Sequence, residues 1–162
     1  MSKLIKAQIK SNEMIGEGIY KLTIKSPEIS ADAMPGQFVN IKCCDGLNAL
    51  LRRPISICNV DKNANEADIV YQVRGTGTEY LSGKKAGDTV DVLGPLGKGF
   101  DISSKYKKVA VVGGGIGIFP LLFLLHRLKA NEKQAFLGFR NKSLAVLLNE
   151  FSAASDKLLI ST

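Results

Sequence analysis

The hydrophobic pattern of this chain changes after a glycine-rich segment at residues 94–100. Upstream of that segment, short runs alternate apolar and polar residues, which is typical of strands with one buried face. Downstream, residues 109–112 form a continuous apolar run, as expected for a parallel strand that is buried on both faces. The sequence therefore predicts two units of different fold class within 162 residues.

The upstream unit is predicted to be all-β. Its alternating runs are short, closely spaced and separated by turn residues such as Pro35 and Gly36. Six strands with this spacing predict a small closed antiparallel barrel. The predicted strands cover residues 3–10, 19–25, 37–42, 51–60, 67–74 and 89–93.

The downstream unit is predicted to be α/β, because strands and helices alternate and this order implies a parallel sheet. We assign residues 1–102 to the barrel domain and residues 103–162 to a partial α/β nucleotide-binding domain. Half of a doubly wound domain leaves apolar surface exposed, so we expect a truncated chain, a naturally shortened one or one completed by a partner. The predicted strands cover residues 109–112, 134–139 and 157–160, and the predicted helices cover residues 118–131 and 143–153.

The formal net charge is +7, from 22 basic and 15 acidic residues. The basic residues are scattered without a block of five like charges, which favours an anionic cofactor or partner over nucleic acid. No apolar run reaches the roughly 18 residues of a membrane-spanning helix, and the N-terminus has no secretory signal. The sequence thus predicts a cytoplasmic protein with neither a membrane nor a nucleic-acid partner.

The three cysteines are Cys43, Cys44 and Cys58. Adjacent residues of a strand point to opposite faces, so Cys43 and Cys44 cannot chelate one ion as a C-x-x-C pair does. An odd number of cysteines without paired spacing predicts reduced thiols in a reducing compartment. We therefore expect small buried residues here and no metal site.

The first candidate site is the segment Arg53, Pro54, Ile55 and Ser56. Strand alternation places Arg53 and Ile55 on one face, where a guanidinium suits a phosphate and an aliphatic side chain suits a flat ring. Ser56 falls on the opposite face, so its contact with the same ligand requires a strand end, a bulge or its backbone N–H. An edge strand in which Pro54 prevents pairing remains an alternative.

The second candidate site lies about twenty residues downstream, at Gly77 and Thr78. Thr76 and Glu79 have the spacing of a capping box, which predicts that a short helix begins here. Free N–H groups at such a helix start, next to glycines, form an anion site that a phosphate can approach. Together with Arg53, this loop offers what a flavin dinucleotide requires, whereas the alternative is a capped surface turn.

A third candidate is the glycine turn after the predicted buried strand, with Gly113, Gly114, Gly115 and Gly117. A glycine turn between a strand and a helix is the context of a nucleotide site, although the spacing departs from the Rossmann fingerprint. Arg140, rather than the acidic residue that often binds an NAD ribose, follows the next strand, so NAD and NADP both remain open. No catalytic side chains are predicted, because redox chemistry would come from a cofactor.

Residues 35–39, 51–57, 77–78, 91–100 and 138–140 carry motifs by which the chain resembles the ferredoxin-reductase-like flavoproteins. Within them it is most similar to the electron-transfer subunits of type B dihydroorotate dehydrogenases, which also have an aliphatic residue at the position of Ile55. The resemblance implies NAD at the glycine turn and FAD in the barrel. The implied FAD residues are Arg53, Pro54, Ile55, Ser56, Val70, Tyr71, Gln72, Gly77 and Thr78, and the implied NAD residues are Gly113, Gly114, Gly115 and Gly117.

The resemblance also implies an electron path in pyrimidine biosynthesis. Electrons from dihydroorotate would pass through a partner catalytic subunit with FMN, an iron–sulfur cluster and this FAD to NAD. The family's four-cysteine [2Fe–2S] site has no counterpart among the three cysteines of this chain, so we expect no cluster here. The alternatives are another NAD(P)H–flavin reductase or hydrogenase-associated subunit, and a cofactor-free interaction module.

Overall fold

A computed structural model describes residues 2–44 and 51–162. Six antiparallel strands form a closed barrel in the order β1-β2-β5-β4-β3-β6, which confirms the predicted all-β architecture. The barrel contains two short helices in addition to its strands. The elements are β1 (Lys3–Gly16), β2 (Ile19–Lys25), α1 (Pro27–Asp32), β3 (Phe38–Lys42), β4 (Arg53–Asp61), β5 (Glu66–Gln72), α2 (Thr76–Ser82) and β6 (Thr89–Leu96).

The sequence analysis did not predict α1, although its start signals are present. The Ser26 side chain accepts a hydrogen bond from the backbone N–H of Ile29 at 3.3 Å, and Pro27 occupies the first helical turn. A serine cap followed by proline is a typical helix start. Ile29 is fully buried and belongs to the barrel core, so this helix closes one end of the barrel.

The second unit is a parallel sheet of three strands, as predicted, and their spatial order is β7-β8-β9. A short 3₁₀ turn at Gly115–Ile118 links the first strand to the helix that follows. No helix among the described residues is long and apolar enough to cross a membrane. The elements are β7 (Tyr106–Gly114), α3 (Phe119–Arg127), β8 (Ala130–Gly138), α4 (Leu148–Ala154) and β9 (Lys157–Ser161).

Both helices of this unit are shorter than predicted. The first ends at Arg127 instead of residue 131, because β8 already begins at Ala130, where it pairs with Tyr106 of β7. The second begins at Leu148 instead of residue 143. A separate 3₁₀ turn comes first, in which Asn141 accepts a hydrogen bond from the N–H of Leu144 at 3.2 Å. Sheet pairing and a side-chain cap therefore override the helical pattern.

Helix α3 joins the two units. Phe123 is fully buried in the barrel core, whereas Phe119 and Leu122 belong to a second hydrophobic cluster. That second cluster also contains Cys58 and Val70, which lie on the outside of the barrel wall. The two units consequently share one continuous apolar interface along α3.

Candidate cofactor site

A gap opens in the barrel wall between β4 and β5. Residues 53–56 of β4 pair with β3, but the pairing of β4 with β5 begins only at Ile57 and continues to Asp61. Residues 70–72 of β5 pair with β2. The two strand ends therefore diverge, and they leave backbone groups and side chains of both strands facing a common space.

That space is a cavity of about 250 Å³. It brings together all the predicted flavin residues except Gly77, which lies beside it. Ligand sites in proteins are commonly about 300–1,000 Å³, so this cavity suits part of a dinucleotide rather than all of it. The lining residues are Arg53, Pro54, Ile55, Ser56, Val70, Tyr71, Gln72, Arg74, Thr78, Ile116 and Phe119.

The guanidinium of Arg53 lies directly against Gly77. A methyl group built on Gly77 would approach Arg53 Nε to 2.9 Å and one terminal nitrogen to 3.0 Å. The glycine therefore leaves room for the cation at the mouth of the cavity. Arg53 donates a hydrogen bond to the carbonyl oxygen of Leu51, and it forms no ion pair with a residue in the described part of the chain.

Thr78 shapes the loop between β5 and α2. Its hydroxyl accepts hydrogen bonds from the N–H groups of Arg74 at 2.9 Å and Gly75 at 3.3 Å, and donates to the Gly75 carbonyl at 2.9 Å. The predicted capping box of Thr76 and Glu79 is therefore wrong in its residues. Gly75 is the cap residue, and Thr78 in the first turn reaches back to it, because glycine has no side chain to cap with.

Ile55 and Ser56 border the cavity from different faces of β4. Ile55 packs against the barrel core together with Ile57, as the alternation predicts. The next residue after Ile57, Cys58, packs outside the barrel in the second cluster. Ser56 still reaches the cavity because the cavity follows the unpaired strand edge, where both faces are accessible. The hydroxyl of Ser56 makes no hydrogen bond to any residue that the structure describes.

Tyr71 and Gln72 contribute differently to the same strand end. The Tyr71 ring is buried and stacks on Tyr20 with centroids 5.7 Å apart, and its hydroxyl donates to Asn12 Oδ1 at 3.1 Å. Burial raises the pKa of this phenol, so it stays neutral. Gln72 is half-exposed, and within the described residues its amide group has no hydrogen-bond partner. Gln72 thus offers a polar group to a ligand, whereas the Tyr71 phenol belongs to the core.

The glycine turn follows β7 as predicted, but its glycines have different surroundings. A Cβ on Gly113 would lie 2.6 Å from Leu121 Cδ1, so Gly113 allows α3 to pack closely on the strand. Gly115 has a φ of +52°, a left-handed conformation that favours glycine. Gly115 and Gly117 have open space beside them, and Gly114 is exposed. The turn therefore presents accessible backbone beyond its first glycine.

A second cavity of about 300 Å³ lies at this turn, lined by Gly115, Ile116, Arg140, Gln72 and Arg74 among others. Gln72, Arg74 and Ile116 line both cavities, so the two spaces adjoin. Arg74, Ile116 and Phe119 line these cavities but were not predicted as site residues. Their positions in the sequence were the available signal: Arg74 lies two residues beyond β5, Ile116 lies within the glycine turn, and Phe119 begins α3.

The cysteines belong to no group of three or more potential metal ligands in the part of the chain that the structure describes. Cys43 is buried in the barrel core and Cys58 in the second cluster, and no three potential ligands in the described residues lie together. Burial raises the pKa of Cys43, and it raises the pKa of Cys58 to about 12. Both are therefore neutral thiols at physiological pH. Cys43, Cys44 and Cys58 form no disulfide bond.

The closed barrel followed by a parallel α/β unit agrees with the comparisons to known proteins. The family model of the oxidoreductase FAD-binding domain matches residues 3–100, so the chain belongs to this family. It is 40% identical over 152 residues to the "Dihydroorotate dehydrogenase B (NAD(+)), electron transfer subunit" of Bacillus mycoides (strain KBAB4). That match covers 91% of this chain and 59% of the relative, so the chain spans about three fifths of the relative's length.

Two solved structures support the same fold. The NADH-dependent reduced ferredoxin-NADP oxidoreductase is 33% identical, with a TM-score of 0.84 over 99% of this chain and 58% of that one. Ferredoxin-NADP+ reductase from Plasmodium falciparum is 16% identical, with a TM-score of 0.78 over 98% of this chain and 69% of that one. The second similarity concerns the fold alone.

Proposed function

We propose that this chain binds FAD at the cavity between β4 and β5 and carries electrons between a partner dehydrogenase and NAD. The observation that carries the proposal is the open strand edge, where a cation, apolar walls and polar groups without a partner among residues 2–44 and 51–162 face one space. We also propose that residues 1–102 form the FAD domain and residues 103–162 the nucleotide-binding domain.

The chemistry of the lining residues fits a flavin dinucleotide. Arg53 supplies a cation without a carboxylate partner among the described residues, and a guanidinium suits a diphosphate. Ile55, Val70 and Phe119 supply apolar surface for a flat ring. We infer that the ring end occupies the cavity and that the phosphates lie at Arg53 and the loop held by Thr78.

FAD would supply the redox chemistry, since a flavin exchanges a hydride with NAD and single electrons with other centres. The residues of the chain bind and orient it. Arg53 offsets the diphosphate charge, the apolar wall excludes water from the ring, and Ser56 and Gln72 offer hydrogen bonds to its polar edge. NAD would bind at the turn of Gly113, Gly114, Gly115 and Gly117.

The partner proposal rests on the relatives that are named electron transfer subunits of dihydroorotate dehydrogenase B (NAD(+)). We propose that this chain likewise acts with a dihydroorotate dehydrogenase catalytic subunit, in a hetero-oligomer that serves pyrimidine biosynthesis. A cytoplasmic location is part of the proposal, because three cysteines without a disulfide bond are typical of a reducing compartment.

The described residues do not fit a [2Fe–2S] cluster, which requires four suitably placed ligands. Cys43 and Cys58 lie in separate hydrophobic clusters, and no group of three potential ligands is found in residues 2–44 and 51–162. No electron-transfer step through a cluster is therefore assigned to these residues.

The test compares alanine substitutions of two neighbouring arginines, Arg53 at the start of β4 and Arg52 immediately before it. Arg53→Ala removes a charge-assisted contact worth about 1.5–3 kcal/mol, so FAD affinity should fall roughly 10- to 150-fold. Arg52→Ala is the matched control, because Arg52 pairs with Asp91 at 2.9 Å and does not line the cavity. FAD binding is measured by titration of flavin fluorescence. Equal affinities of wild-type protein and Arg53→Ala would refute the assignment.

One observation favours a second candidate within the same chemistry. The NADH-dependent reduced ferredoxin-NADP oxidoreductase is 33% identical over nearly the whole chain, so a subunit of a related reductase is the alternative. Co-purification of a dihydroorotate-oxidising partner supports the first candidate, and that of a ferredoxin-linked partner supports the second. A colourless protein that takes up no added FAD would instead support an interaction module without a cofactor.

A further inference from the structure

The cavity of about 300 Å³ at the glycine turn is lined by two positively charged side chains. Arg74 reaches it from beyond the end of β5, and Arg140 reaches it from beyond the end of β8. No carboxylate is found among the described residues that line it. Two cations from separate structural units therefore meet at one cavity.

Neither guanidinium is engaged by another residue that the structure describes. In the described residues, the side chains of Arg74 and Arg140 form no ion pair and no hydrogen bond. Both residues are exposed, so each can turn towards a ligand without leaving another contact. A planar guanidinium can bind a phosphate through two parallel hydrogen bonds, and two guanidiniums suit a doubly charged anion.

The backbone at the same cavity is also suited to an anion. Gly115 has a φ of +52°, and a Cβ added there would meet no atom within 4 Å. The turn at this point is therefore open to a close approach by phosphate oxygens. Ile116, which is 52% exposed, follows immediately and provides apolar surface beside the cations.

The position of the cavity decides which phosphate it would take. Gln72, Arg74 and Ile116 line both this cavity and the proposed flavin cavity, so ligands in the two spaces would touch. Hydride transfer requires the nicotinamide to contact the flavin ring. The diphosphate of a pyridine nucleotide is one ribose away from the nicotinamide, whereas a 2′-phosphate is at the far, adenosine end.

We propose that Arg74 and Arg140 bind the diphosphate of the pyridine nucleotide in the cavity at the glycine turn. The proposal rests on the proposed function, and it adds a barrel residue to a site otherwise expected in the α/β unit. Arg74 would then orient the nucleotide relative to FAD, because it borders both ligands.

The experiment measures binding of ADP-ribose, which has the diphosphate but no nicotinamide, to FAD-loaded protein by calorimetry. Arg74→Ala and Arg140→Ala should each weaken binding about tenfold, as expected for one lost charge-assisted contact. Arg127→Ala is the matched control, because Arg127 is an exposed arginine at the end of α3 that lines neither cavity. Arg140→Ala and Arg127→Ala should retain FAD, as judged by their visible absorption, because neither residue lines the flavin cavity.

Other outcomes overturn the inference separately from the proposed function. Unchanged ADP-ribose affinity in both variants refutes it, and so does a larger loss for 2′-AMP than for ADP-ribose, which would indicate a 2′-phosphate site. Loss of FAD from Arg74→Ala but not from Arg140→Ala would assign Arg74 to the flavin instead. If the wild-type protein binds no FAD, the proposed function fails, and titration with inorganic pyrophosphate still tests the two arginines.

Discussion

The barrel and the α/β unit bury the apolar faces of their sheets in different ways. The barrel closes on itself, and its strands surround one buried core. The three-stranded parallel sheet leaves apolar side chains accessible, with Val112 76% exposed and Ile160 45% exposed. The smaller unit instead obtains its core from helices α3 and α4 and from the outer wall of the barrel.

The α/β unit therefore depends on its interface with the barrel for part of its hydrophobic core. Ile19, Cys58 and Val70 are barrel residues, but they pack in the cluster that supports the parallel sheet. Phe123 does the reverse, since it extends from α3 into the barrel core. The proposed flavin cavity and the cavity of Arg74 and Arg140 both adjoin this interface, since Val70 and Phe119 line the first and Ile19 lines the second.

The largest expected effect is that of Phe123→Ala, which tests whether the stability of the barrel depends on α3. Removal of a fully buried aromatic side chain typically costs about 3–5 kcal/mol, because it leaves a cavity. We expect both units to lose stability together, since Phe123 links α3 to the barrel. Urea unfolding followed by circular dichroism and by tyrosine fluorescence measures the loss. Three of the four tyrosines, Tyr20, Tyr71 and Tyr80, lie in the barrel unit and one, Tyr106, lies in β7, so the fluorescence reports mainly on the barrel.

Val112→Ala serves as the control for that substitution, because Val112 is largely exposed and should change the unfolding free energy by less than about 0.5 kcal/mol. Should tyrosine fluorescence in Phe123→Ala follow the wild-type curve while circular dichroism shifts, the barrel would be independent of α3.

The next test concerns the α/β unit alone and uses Gly113→Ala. The added methyl group would lie 2.6 Å from Leu121 Cδ1 and 3.3 Å from Ile118 Cγ2, so the Leu121 side chain must shift or strand and helix must separate. Overpacking of this kind costs about 1–3 kcal/mol. Gly117→Ala in the same turn has open space and should be neutral within about 0.5 kcal/mol. Equal unfolding free energies of the two variants would contradict the packing role of Gly113.

The smallest expected effect is a pH dependence of the unfolding free energy that comes from Cys58, a barrel residue at the interface. Burial raises the pKa of Cys58 from 9.0 to about 12, so the folded state favours the neutral thiol. The corresponding stability is complete below pH 9 and is lost as the pH rises towards 12. From pH 8 to pH 10, wild-type protein should lose about 1 kcal/mol more than Cys58→Ala.

Urea unfolding of both proteins at the two pH values measures this difference, and the comparison cancels the titration of all other groups. An identical pH dependence would mean that Cys58 is accessible to water. Slow labelling of Cys58 by a thiol reagent at pH 8 in the folded protein, and fast labelling in urea, provides an independent check.

Much of the fold was predictable because it depends on local patterns. The strand at residues 19–25 was predicted with both ends correct, and the barrel and the parallel sheet follow from the two hydrophobic periodicities. Ends of elements were less predictable. Helix α3 stops at Arg127 because β8 pairs with β7 from Ala130, and no pattern within α3 announces that pairing.

The candidate site shows the same division. Arg53 and the loop of Gly77 and Thr78 were predicted from their residue types, and the structure places them next to each other. The contribution of Arg74 was not predicted, since it depends on two strands from distant parts of the chain ending at the same cavity. Ser56 required the unpaired edge of β4 to reach that space.

The fold class of each unit follows from the amino-acid sequence, because alternation with period two and continuous apolar runs dictate which strand faces can be buried. The residue types also follow from the sequence: a guanidinium at Arg53, and glycines at positions where a side chain or a ligand can approach the backbone closely. Only the tertiary structure decided where the barrel opens, since the gap between β4 and β5 arises from the register of three strand pairs. Register depends on packing of the whole barrel, and so does the meeting of Arg74 with Arg140.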